Sequence, residues 1–163
     1  MKENPFSQER EEMKELLRQY NNFKTGKKFN FIEEESFQRL IDYFDENDNL
    51  SLAMEAVNFA IDQFPYSSAF YIRKADILLA TQSYYEGLAI LEKAEVLDSN
   101  DINLYILKTD AYLALDFQEK AAALLEEAIQ VFDGEDKIEL LFELADVYDD
   151  YEDFERVFNC LNI

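Results

Sequence analysis

Histidine and tryptophan are missing from this chain of 163 residues, and cysteine, proline and glycine are scarce: one Cys, two Pro and three Gly. Without histidine, the commonest general base and metal ligand is gone. The lone thiol, Cys160, excludes an internal disulfide and a cysteine-based zinc site. So few glycines and prolines leave little to build hairpins from and favour helices joined by short turns. No run approaches 18 uninterrupted apolar residues, so no membrane span is expected. The start, MKENPFSQEREEM, has no apolar stretch of the kind a secretory signal needs. These absences point to a soluble cytoplasmic protein that is not an enzyme, with no cofactor and no metal site.

Positive charge is the other shortage. The chain has 15 Lys and Arg against 36 Asp and Glu, a net charge of −21. The imbalance is uneven: residues 1–33 sum to +1 and residues 34–163 to −22. Such a field repels a phosphate backbone and anionic lipid, so neither nucleic acid nor membrane is an expected partner. A basic protein segment would be attracted. At 48% apolar residues the chain has enough hydrophobic material for a real core and lacks the signature of disorder.

What is present is a repeat. Shifting the stretch that starts at Tyr71 by 34 positions lays Tyr71 on Tyr105, Asp76 on Asp110, Gly87 on Ala121, Leu91 on Leu125 and Ala94 on Ala128. The same shift backward meets Phe37, Leu40, Phe44, Ala53, Val57, Ala60 and Pro65. A forward shift of 36, absorbing an insertion near Gly134, meets Leu141, Ala145, Tyr148, Val157 and Leu161. The units are 34–67, 68–101 and 102–137, with a partial fourth over 138–163. Each reads as two amphipathic helices. In 68–101 the first runs from an N-cap at Ser68 to about Gln82, and the second from Tyr84 to Leu97. Small residues at Ala53, Gly87 and Ala121 allow close helix approach.

This pattern resembles the tetratricopeptide repeat. Ala75 and Ala145 match its small eighth position, Phe44, Tyr112 and Tyr148 its aromatic eleventh, and Ala60, Ala94 and Ala128 its twenty-seventh. Lys74 and Lys108 depart from the usual Leu at position 7, and only Pro65 matches the proline at 32. The layout is also similar to uncharacterised repeat proteins of Bacteroidetes. The resemblance implies an all-α fold, a right-handed α-solenoid of antiparallel helix pairs. Residues 1–33 add an amphipathic helix (Met13, Leu16, Leu17, Tyr20, Phe23) as an N-terminal cap, followed by a basic loop. The final VFNCLNI falls inside what should be a last helix. The favoured reading is a piece of a longer array; otherwise a second copy covers an open C-terminal edge.

Every unit carries Asp at position 9: Asp42, Asp76, Asp110 and Asp146. In the family, positions 5, 9 and 12 line a concave groove. The resemblance therefore names Ile72, Asp76, Leu79, Ile106, Asp110, Leu113, Phe142, Asp146 and Asp149 as a partner-binding groove, apolar along its track and acidic at its borders. The family's carboxylate clamp of Lys, Asn and Arg is missing here, with Gln38, Asp42, Arg73, Asn103 and Leu107 in its places. Asp42 and Asp76 have Arg39 and Arg73 three residues earlier, a spacing that permits helical ion pairs. Asp110 and Asp146 have Leu107 and Glu143 instead. A bland reading, carboxylates on a solvated face, stands beside the binding one, because neighbouring Asp residues about 10 Å apart repel by only about 0.4 kcal/mol in water. DENDNLSLAMEA, Asp45 to Ala56, lacks the Gly and terminal Glu of a calcium loop and reads as a polar turn. The expected function is a protein-interaction scaffold for a basic or amphipathic peptide. The alternative is a self-assembling array or homodimer joined through the C-terminal edge.

Overall fold

The computed structural model describes residues 5–26, 31–150 and 153–161, with side chains from Gln8 onward. The stretch 27–30 of the basic loop, residues 151–152 of the acidic run and the last two positions lie outside these described residues. Among the described residues every regular element is a helix. The chain divides into two compact units, Met1–Pro65 and Tyr66–Ile163.

The first unit holds α1 (Pro5–Lys24), α2 (Glu34–Glu46) and α3 (Leu50–Gln63). The apolar stripe of α1 does what its spacing demands. Leu16 and Tyr20 are buried, and the Tyr20 ring meets Phe44 of α2 and Phe59 of α3 at centroid distances of 5.8 and 6.3 Å. Phe23 adds edge contacts to Phe37 and Phe59 at 6.0 and 5.4 Å. Each such pair contributes about 0.5–1.5 kcal/mol beyond area burial. The Tyr20 hydroxyl donates to Glu55 at 3.0 Å, and Lys24 also pairs with Glu55. Burial and that carboxylate push the Tyr20 phenol well above its ordinary value. Arg39 reaches Glu12 of α1 at 3.5 Å, so α1 is tied down by both rings and charges.

The second unit holds α4 (Ser68–Ala80), α5 (Tyr84–Leu97), α6 (Ile102–Ala114), α7 (Gln118–Ala128), α8 (Gly134–Asp150) and α9 (Phe154–Leu161). Consecutive helices pack antiparallel, and the first helices of the pairs, α4, α6 and α8, also pack on one another. Ala121, Leu125 and Ala128 of α7 and Leu140, Leu144 and Val147 of α8 form one buried cluster with Phe132 and Tyr148. Gly87 shows why small residues recur where α5 meets α4: a Cβ there would lie 2.2 Å from Cδ1 of Leu79.

Two boundaries differ from the sequence expectation. Ser67, not Ser68, occupies the N-cap of α4, and α8 starts at Gly134, four residues before the expected unit boundary. The helix α4 ends at Ala80 because Gln82 turns left-handed, with φ 61°. The same turn recurs at Asp48 (φ 56°) and Asp116 (φ 59°), spaced 34 residues apart. In each, the residue after the left-handed one donates back five residues: Asn49 to Phe44, Ser83 to Leu78 and Phe117 to Tyr112, all at 2.8 Å. This is the Schellman closure, which satisfies carbonyls the helix end would otherwise orphan. Asn49, Ser83 and Phe117 are also the N-caps of the next helices, so one short turn ends one helix and starts its partner. DENDNLSLAMEA holds such a turn at residues 47–49 and then runs on as the start of α3, with the Asn49 side chain accepting from the Leu52 amide at 3.2 Å.

Candidate functional site

The candidate groove residues of the second unit sit on α4, α6 and α8. Because the repeat steps by 34 residues from α4 to α6 and by 36 from α6 to α8, position 9 returns to the same azimuth on each. Asp76, Asp110 and Asp146 are thereby brought onto one face. Partial burial, and then the charge of Asp76, raise the Asp110 carboxyl above its ordinary value, even though its outer edge still reaches water.

Glu143 joins them. Position 6 did not figure among the sequence candidates, yet Glu143 is half-buried. Burial raises its carboxyl, and then Asp110, Asp146 and Glu139 raise it further. Every charge acting on Asp110 and Glu143 is another carboxylate. Asp76 differs, since Arg73 donates to it at 3.0 Å from one turn earlier. The i, i+3 spacing foretold that pair. A sequence signal for Glu143 existed too: it takes the place three residues before Asp146 that Arg73 takes before Asp76.

The apolar candidates separate into two groups. Phe142 is 57% exposed, and Ile106 and Leu113 are half-buried. Asp149 is exposed at the end of α8. Ile72, by contrast, is only 6% exposed, one of five buried residues on α4 together with Phe70, Ala75, Ile77 and Leu78. Leu79 is half-buried with its Cδ1 turned to Gly87. Ile72 and Leu79 thus give most of their surface to packing, and the exposed apolar surface of this face comes from the α6 and α8 side.

Lys108, read from sequence as a lapse at position 7, is buried and hydrogen-bonded to Glu95 of α5 at 2.6 Å. Its neighbour Thr109, at the small eighth position, is fully buried with a hydroxyl that has no hydrogen-bond partner among the described residues. Between α7, α8 and α9 lies an open cavity of about 440 Å³, walled by Ile129, Leu141, Leu144 and Cys160 with Arg156 at its edge. Arg156 lies 5.2 Å from the centroid of the Tyr148 ring, and the Tyr148 hydroxyl donates to Glu126. Burial and that carboxylate push the Tyr148 phenol up to about 12. Burial likewise raises the Cys160 thiol, which makes it less reactive.

Among the described residues no helix is long and apolar enough to cross a membrane, and no group of three or more His, Cys, Asp or Glu is arranged to hold a metal ion. No family model and no curated protein matches the chain. Solved structures do. A thermophilic TPR protein of Thermus thermophilus superposes with a TM-score of 0.68 at 17% identity, covering 89% of this chain and 77% of its own. TPR-like repeats of a putative kinesin light chain from Podospora anserina give 0.66 at 16% identity, over 79% and 71%. The TPR2B domain of yeast Sti1, solved as a complex with pHsp70, gives 0.56 at 19%, over 79% and 96%. Helices packed in sequence order within each unit, without strands among the described residues, show the α-solenoid fold of the tetratricopeptide-repeat structures.

Proposed function

We propose that the chain is a non-enzymatic protein-interaction scaffold that binds a basic or amphipathic segment across the acidic face of α4, α6 and α8. One observation carries the reading: Asp110 and Asp146 both act on Glu143, which follows the exposed Phe142 on α8, and the charges that perturb Asp110 and Glu143 are all negative. A Lys or Arg from a partner would relieve that repulsion, while an apolar neighbour in the same segment would cover Phe142, Ile106 and Leu113. Asp76 is the less available member, since Arg73 already answers it. Asp149 extends the acidic border at the end of α8. The likeness to a domain solved with pHsp70 supports peptide binding as a use of this fold. The reversed sign of the face selects a different peptide chemistry from a C-terminal acid.

Panning a displayed library of random peptides against the chain tests this. Enriched peptides should pair Lys or Arg with a bulky apolar residue, and Asp110→Lys with Asp146→Lys should abolish their binding. Enriched peptides that bind the double variant unchanged would remove the groove from consideration.

A further inference from the structure

The helix α9 carries two apolar faces. Val157 and Cys160 turn inward and pack on the cluster formed by α7 and α8. Phe154, Phe158 and Leu161, at i, i+4 and i+7, lie on one stripe and are 65%, 64% and 55% exposed. An aromatic side chain presents roughly 150–250 Å², so this stripe offers on the order of 300–400 Å². A patch of that size on a soluble protein is commonly functional. Its spacing is the pattern by which one helix receives another.

Two observations select the occupant. Two copies meeting through their stripes would bury roughly 600–800 Å² in total, well below the ~1,200 Å² of a stable interface. Charge opposes that pairing as well: residues 134–161 hold ten carboxylates against only Lys137 and Arg156. Arg156 is committed to Asp153 at 3.3 Å and to the Tyr148 ring. Phe154 itself is bracketed by Asp153 and Glu155 in the chain. A second copy would bring like charge to like charge, whereas a helix with one apolar and one basic face would neutralise the rim while covering the stripe.

We propose that the Phe154–Phe158–Leu161 face of α9 is a second docking surface, separate from the α4–α6–α8 face, for a basic amphipathic helix of a partner protein. The apolar stripe supplies the contact, and Asp153 and Glu155, which flank Phe154 in the chain, supply its charge preference. The partner would be read through i, i+3, i+4 and i+7 anchors on its own apolar face.

Fluorescence anisotropy with a synthetic amphipathic helix of leucine and lysine tests the proposal against a scrambled peptide of identical composition. The amphipathic peptide should bind the full chain at least about tenfold more tightly, a difference of ~1.4 kcal/mol, and the advantage should vanish in Phe154→Ser with Phe158→Ser. Glu155→Lys, which leaves the stripe intact, should weaken both peptides. Binding should weaken as salt rises. Asp110→Asn with Asp146→Asn should leave the ratio between the two peptides unchanged, so this surface and the groove fail independently. Equal binding of both peptides overturns the proposal, as does a preference indifferent to Phe154 and Phe158. So does a dimer in sedimentation that strengthens with salt and is dispersed by Phe154→Ser with Phe158→Ser, which would make a second copy the occupant.

Discussion

The Lys108 ammonium donates to Glu95 at 2.6 Å and joins α6 to α5, with only 8% of the lysine side chain exposed. Stripping a buried cation of its partner is far more costly than replacing the pair by an apolar group. Glu95→Ala should therefore destabilise the second unit by about 2–3 kcal/mol, at the lower end of such losses because water reaches that edge of the pair. Lys108→Leu, the residue the repeat pattern favours at this position, should be neutral or stabilising by about 1 kcal/mol. Urea unfolding of both variants checks the order. A Glu95→Ala chain as stable as the parent would show that the ammonium is solvated some other way.

That pair also marks what could and could not be read in the sequence. The repeat period was legible because packing leaves a residue-type signature: Gly87 and Ala121 are small where a neighbouring helix crosses, and Leu91 and Leu125 are fully buried. The Arg73–Asp76 pair was legible because helical spacing alone sets it. Lys108 was not, since a long stem can bury its methylenes and still carry its charge to a partner on another helix. Nor was Ile72, whose burial depends on how many sides of α4 are covered. Glu143 entered the acidic face for a similar reason: side-chain reach across α6 and α8 decides it, and helical phase does not fix reach. The second apolar face of α9 was hidden by the first, because Val157 and Leu161 both satisfied the repeat pattern, yet only Val157 packs while Leu161 stays exposed with Phe154 and Phe158.

The three left-handed turn residues are Asp48, Gln82 and Asp116, none of them glycine. A residue with a Cβ is strained in that region, and glycine is the preferred occupant of this position in the Schellman closure. Gln82 lacks the short side chain that makes the conformation tolerable for Asp or Asn, so it bears the most strain of the three. Gln82→Gly should stabilise the chain by about 0.5–1 kcal/mol, the relief of strain exceeding the entropy lost by a freer unfolded chain. At this chain length that is a rise in Tm of about 1–4 °C. Gln82→Val, β-branched and ill suited to positive φ, should lower Tm instead. Calorimetry on the two variants decides; a rise with both would mean that the turn is not held left-handed in solution.

The raised carboxyls of Asp110 and Glu143 give stability a definite pH dependence. Folding raises both, by burial first and neighbouring carboxylates second. The native state therefore keeps protons that the unfolded chain has already released, in the window from about 4 upward to the raised values. Where the native state binds more protons, stability falls as pH climbs, so this contribution is most favourable below the window and is lost above it. Asp110→Asn with Glu143→Gln mimics the protonated pair at every pH. The double variant should match the parent near pH 4 and exceed it near pH 7 by about 0.5 kcal/mol, a small effect because water screens the outer edges of these groups. The difference between the two melting curves isolates the pair from the other carboxylates of the chain. A gap of the same size at both pH values would mean that the amides improve packing and that the carboxylates do not repel. Adding a basic peptide bound to this face should close the gap near pH 7, since the cation then does what the substitutions do.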